Sequence, residues 1–131
     1  MTVKAPNLRD ATLQNIFDFV TKHLFAQNAK SQTSDGLCVF RHYTPEGKCL
    51  MCSLGPFIPE DKYHSNMERC RFGNLFPCLD LIDDDWGATN SVYKRKYELL
   101  SELQYLHDRF LVCNWHLQAS KVATKFGLQF T

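Results

Sequence analysis

Cys49 and Cys52, separated by Leu50 and Met51, have the one spacing in this chain with a recognised metal-binding shape. Zinc takes four soft or borderline ligands in a tetrahedron at about 2.0–2.3 Å. Cys38, His42, His64, Cys70 and Cys78 are the residues that could complete such a set. The metal-binding alternative uses Cys38, Cys49, Cys52 and His64. On a regular strand, residues three apart point to opposite faces, so both thiols meet one ion only where a turn bends the chain. Leu50 and Met51 also look like core, and a strong zinc signature has two tight pairs rather than one. Free, buried cysteines acting as small hydrophobes are therefore the main expectation. A thioredoxin-like redox role needs the first cysteine at a helix N-terminus, whereas Cys49 follows a hairpin turn.

The remaining constellations are weaker. Cys113 could make a Cys–His dyad with His107, or with His116 at i,i+3 on a helix. Neither a glycine-rich orienting loop nor an oxyanion motif accompanies it, and six cysteines with five histidines generate such pairs by chance. Asp80, Asp83, Asp84 and Asp85 gather beside Trp86 but lack the alternating ligands, central glycine and closing glutamate of a calcium loop. They read as a solvated turn or, if functional, as a docking surface, because Trp is a frequent interface anchor. Lys94, Arg95 and Lys96, with Lys121 and Lys125, make the one basic concentration, shorter than the stripe of a usual nucleic-acid site. Gly73 and Gly87 stand alone, so no phosphate-cradling loop is present.

The elements that must position these groups are legible from periodicity. Residues 1–8 form a loose arm. From Asp10 to Asn28 the apolar positions Leu13, Ile16, Phe17, Val20 and Leu24 recur at helical spacing, with Asp10 or Thr12 as N-cap and Asp18–Lys22 as an exposed i,i+4 pair. The polar run from Asn28 to Gly36 is a loop. Cys38–Tyr43 and Lys48–Ser53 then form a β-hairpin around Thr44–Gly47. Gly55, Pro56 and Pro59 end the pairing and set a stiff extended exit. Glu60–Arg69 holds a short helical turn, Gly73–Pro77 is irregular, and Leu79–Gly87 is the acidic segment. Asn90 or Ser91 caps a second helix to Phe110, with Val92, Leu99, Leu103, Leu106 and Phe110 as its stripe. A last helix, Asn114–Phe126, buries Trp115, Ala119, Val122 and Phe126 and stops at Gly127. The expected fold class is α+β: a single domain over residues 1–131 with an N-terminal helix, a β-hairpin, an irregular middle and two C-terminal helices.

Bulk properties agree. A hydrophobic fraction of 44% with ten Phe, five Tyr and two Trp argues for a packed core and against disorder. A formal charge of +1 provides no global field to steer nucleic acid or an anionic membrane. The N-terminus lacks the apolar stretch of a signal peptide, and no apolar run approaches the roughly 18 residues that span a bilayer. A cytoplasmic protein with reduced thiols is expected.

The run Leu13–Val20, then His23, Leu24 and Gln27, Cys38–Arg41, Lys48–Cys49 and Phe57–Tyr63 resembles a set of small uncharacterised bacteriophage and prophage proteins. These share an amphipathic helix, a cysteine-containing strand ending in arginine, a Lys-Cys return strand and an Ile-Pro-acidic exit. The similarity covers about residues 12–63, more weakly the last two helices. Cys52 and a lengthening before Gly55 are departures, so a site built on Cys52 is peculiar to this chain. The resemblance implies a phage context and brings no established activity. Together these readings favour a non-enzymatic accessory protein that binds a host or phage protein in the host-cell cytoplasm and modulates it, with inhibition the favoured form. Tyr43, Pro45 and Glu46 at the hairpin tip, with Asp83, Asp84, Asp85 and Trp86, are the expected contacts. The alternative is a zinc-stabilised nucleic-acid module using Lys94, Arg95, Lys96 and Lys121, and a small hydrolase using Cys113 or an aspartate pair is the remainder. An exposed hairpin edge also leaves room for a homodimer.

Overall fold

Helix α1, Leu13–Gln27, starts where Thr12 makes a reciprocal capping box with Asn15: the Thr12 hydroxyl accepts the Asn15 N–H at 3.0 Å, and the Asn15 side-chain oxygen accepts the Thr12 N–H at 3.2 Å. Thr12, not Asp10, is therefore the cap, and Asp18 accepts from Gln14 (2.8 Å) rather than pairing with Lys22. The helix ends at Asn28, which turns left-handed at φ 52° and returns its N–H to Leu24. Ile16, Phe17, Val20 and Leu24 form the buried stripe. This computed structural model describes residues 5–8, 10–58, 63, 68 and 92–130. The expected acidic segment, the irregular stretch before it, the caps at Asn90 and Ser91, and His64, Cys70, Cys78 and Trp86 lie outside those residues.

The hairpin pairs β1, Arg41–Tyr43, with β2, Cys49–Met51, in antiparallel register, Arg41 opposite Met51 and Tyr43 opposite Cys49. Thr44 donates its N–H to Lys48, Gly47 donates to Thr44, and Gly47 takes φ +87°, as a three-residue hairpin loop requires. Both strands are shorter than their sequence predicts. Cys38 bridges back to Gln32, and Val39 donates to the Ser31 carbonyl, so residues 31–39 close on themselves before β1 begins. Beyond β2, Cys52 still donates to Phe40, but Ser53 turns inward and gives its hydroxyl hydrogen to the Leu103 carbonyl at 2.8 Å. Within the expected stiff exit, Gly55–Phe57 forms a 3₁₀ turn, because the fixed φ of Pro56 also suits the first turn of a helix. Ile58 is again extended, and Pro59 lies outside the described residues.

Helix α2, Val92–Arg109, packs against both α1 and helix α3, Trp115–Phe126, through Leu99, Leu103 and Leu106. A 3₁₀ turn at Val112–Asn114 joins the two, and the Trp115 indole donates to the Phe110 carbonyl across that corner. Gly127 ends α3 in a left-handed cap at φ 67°, and the chain reverses so that Phe130 meets Phe17 edge-on at 5.5 Å. The result is the expected α+β arrangement of one helix, a two-stranded sheet and two further helices around one core. Among the described residues no helix is long and apolar enough to cross a membrane.

Two glutamines of α1 act as strand surrogates. Gln27 accepts the Met51 N–H and donates to the Met51 carbonyl, both at 2.9 Å, completing the outer edge of β2. Gln14 does the same for Gln129, at 2.9 and 3.0 Å. On the other edge, the Glu68 carboxylate accepts the N–H groups of Phe40 (2.6 Å) and Arg41 (3.2 Å) and the Tyr63 hydroxyl. Met51 on one edge and Arg41 on the other are thus engaged by side chains, which leaves less backbone for pairing with a second copy. Gln27→Ala is expected to lower stability by about 1–2 kcal/mol, one bidentate contact, in chemical denaturation. An unchanged midpoint would show that the clamp is dispensable.

Candidate functional site

The loop 28–40 and the last turn of α2 bring together Cys38, His107 and Asp108, whose donor atoms lie within 4.8 Å of one another; this is the one such group of three among the described residues. His107 is 0% exposed, and its ring lies 5.7 Å from that of Trp115. Its Nε2 accepts the backbone N–H of Ser31 at 3.0 Å, so that nitrogen carries no proton. The hydrogen therefore sits on Nδ1 and is donated to Asp108 Oδ1 at 2.8 Å. Asp108 accepts a second bond from Gln104 at 3.0 Å, and its main-chain carbonyl accepts from Lys30. The Cys38 sulfur lies 4.0 Å from that same carbonyl and 3.6 Å from the Gln32 amide nitrogen.

This order of groups decides the chemistry. A catalytic histidine must aim a free nitrogen at the thiol, but both nitrogens of His107 are committed elsewhere. Burial holds the Cys38 thiol above its ordinary range, against a smaller opposing effect of Gln32, so the neutral form persists and no ready thiolate is offered. A metal on Nδ1 would take its proton's place and force a hydrogen onto Nε2, against the Ser31 N–H. The cluster is suited to joining loop 28–40 to the end of α2, and it does not fit a zinc site as arranged.

Among the described residues, the expected zinc ligands Cys38, Cys49 and Cys52 do not form one group; His64 lies outside them. The N–H of Cys52 still pairs beyond β2, so strand alternation sends Cys52 to the side opposite Cys49. Cys52 is fully buried in the core, Cys49 is half-buried, and neither joins Cys38 in a three-ligand group. Cys113 is exposed on the 3₁₀ turn and hydrogen-bonds to neither histidine, while His116 stacks on Phe25 and lies tilted against Phe130. Lys94, Arg95 and Lys121 are exposed, but Lys96 is not on their surface. It is 3% exposed and donates to the Leu8 carbonyl at 2.7 Å, securing the N-terminal segment. Tyr43, Pro45 and Glu46 are exposed at the hairpin tip as expected. Sequence reasoning overlooked Ser31, Gln104 and Asp108, and also the outward-facing Tyr105, Leu111 and Leu117.

Burial pushes the Cys52 thiol from its ordinary 9.0 up to about 12. The folded chain keeps this proton where the unfolded chain loses it. The resulting stabilisation is complete below pH 9 and is lost as pH rises towards 12. The urea midpoint is expected to fall between about pH 8 and about pH 10.5, and Cys52→Ala to flatten that fall. Equal slopes in both proteins would contradict this assignment.

Comparison with protein-family models, with curated proteins and with solved structures finds no match.

Proposed function

We propose that this chain is a non-enzymatic accessory protein of the phage type that binds a host or phage protein in the host-cell cytoplasm and inhibits it. One observation carries the reading: large apolar side chains are held outward on well-braced backbone. Tyr43 is 62% exposed beside a hairpin loop closed by Thr44, Gly47 and Lys48. Tyr105, Leu111 and Leu117 are 54%, 66% and 56% exposed around the corner between α2 and α3. Apolar groups displayed together at one corner mark interaction sites more often than isolated ones do. An aromatic anchor entering a partner pocket, with Glu46 steering a basic neighbour, is the physical mechanism at the tip. The inward-facing bonds of the Cys38–His107–Asp108 cluster support a contact protein over a thiol enzyme.

The test starts from a partner captured from bacterial lysate and then purified, with its affinity measured for the wild type and three variants. Tyr43→Ser and Leu111→Ser with Leu117→Ser cover the exposed apolar groups, and alanine at Asp83, Asp84, Asp85 and Trp86 covers the acidic segment expected from the sequence. Loss of binding in at least one, with inhibition of the partner by the wild type, is the expected result. If every variant binds like wild type, the surface assignment is wrong. The nucleic-acid alternative has lost Lys96 from its surface, and its signature would be binding that weakens steeply with salt.

A further inference from the structure

We infer that the groove between α2 and α3 receives a segment of a protein partner that carries an apolar anchor flanked by carboxylates. This deepens the contact-protein reading and rests on it. The groove encloses about 160 Å³, well below the roughly 300–1,000 Å³ of small-molecule sites, so it suits one inserted side chain rather than a metabolite. Its apolar lining comes from Tyr105, Leu106, Phe110 and Val122. Leu117 stands one helical turn before Lys121 on α3 and extends the apolar surface at the lip.

Charge decides the flanking chemistry. Arg95, Glu98, Glu102, Tyr105 and Arg109 succeed one another at three- and four-residue spacing along one stripe of α2. Glu98 is held by Arg95 at 3.1 Å, and Glu102 by Lys125. Arg109 lies over the Tyr105 ring, 5.8 Å from its centroid, and neither it nor Lys121 has a carboxylate partner among the described residues. Glu102, the acid that lines the groove, is neutralised by Lys125, while Lys121 beside the apolar floor and Arg109 over the Tyr105 ring are not. That pattern complements a carboxylate next to an apolar side chain. A nucleic-acid backbone is disfavoured, since two unpaired cations fall short of the basic stripe that tracks successive phosphates.

The probes are a fluorescein-labelled synthetic peptide with a Leu-Trp anchor between glutamates, its counterpart with lysines for the glutamates, and a single-stranded oligonucleotide. Fluorescence anisotropy reads their binding to the full chain. The acidic peptide is expected to bind, the basic peptide to bind more weakly, and Lys121→Glu to weaken the acidic complex about tenfold. Tyr105→Ala, at an exposed position, should weaken it without affecting the fold. Equal binding of the two peptides, no binding of the acidic one, or indifference to Lys121→Glu would each overturn the inference. Oligonucleotide binding that Lys121→Glu abolishes would overturn it in favour of nucleic acid. If a purified natural partner binds the Lys121→Glu chain normally but not the Tyr43→Ser chain, the groove is excluded while the contact-protein reading survives.

Discussion

Gly55→Ala is expected to destabilise the protein by about 3 kcal/mol, the upper end of overpacking costs. A Cβ built at Gly55 would lie 2.5 Å from the Phe40 carbonyl oxygen and 2.7 Å from Met51 Cβ. The first neighbour is main chain and the second is a side-chain root, so neither can swing aside. Relief would require moving the hairpin away from the 3₁₀ turn, which breaks the bond from Cys52 to Phe40 and exposes Leu54 and Phe57. A drop of about 10 °C in the thermal midpoint follows for a chain of this size. Gly36 is the internal control. Its Cβ would meet open space, but φ is +87°, so alanine there should cost only about 1 kcal/mol. If Gly55→Ala matched Gly36→Ala, the close approach of the two backbones would be wrong.

His107→Leu is expected to cost about 3 kcal/mol, because it leaves the Ser31 N–H and the Asp108 carboxylate without their buried partner. The damage should be local before it is global. Amide exchange at Ser31 and Val39 should accelerate first, since both belong to the loop that His107 holds against α2. His107→Gln retains a hydrogen-bonding side chain and should recover part of the loss. A strong chelator should leave the wild type's midpoint unchanged. If chelator instead mimicked His107→Leu, the cluster would be a metal site and the proton placement argued from Ser31 would be incorrect.

Local periodicity made the helices readable. The spacing from Leu13 to Leu24 and from Trp115 to Phe126 repeats at the helical period, and Gly127 closes α3 where a left-handed cap is needed. Pro45 and Gly47 likewise located the hairpin loop. The length of β1 was not readable, because what ends it is distant. The hydrogen-bonding capacity of Cys38 and Val39 is spent on Gln32 and Ser31, in a run whose polar composition suggested only loop. Ser31 is completely buried there. The cluster around His107 escaped notice for the same reason, since Ser31 and Cys38 meet α2 only after the whole chain has folded.

Lys96 is different, because the signal was present. Counting along α2, Lys96, Leu99, Leu103 and Leu106 fall on one face at three- and four-residue spacing, and that face is the buried one. Grouping it with Lys94 and Arg95 as a basic triplet followed the order along the chain, whereas a helix sorts residues by angle. Burial also lowers the affinity of this amine for its proton, as expected of a cation in the interior, with Asp10 opposing.

The glutamine clamps bear on the order in which the molecule assembles. Strands of three residues each make a hairpin too short to persist alone in water. Part of what holds β2 in place comes from α1, through Gln27 and through His23, whose Nε2 also meets the Met51 carbonyl. A peptide spanning only the hairpin should therefore be a random coil by circular dichroism. In refolding, α1 should gain protection before the strands do, with the sheet arriving as the helix's passenger.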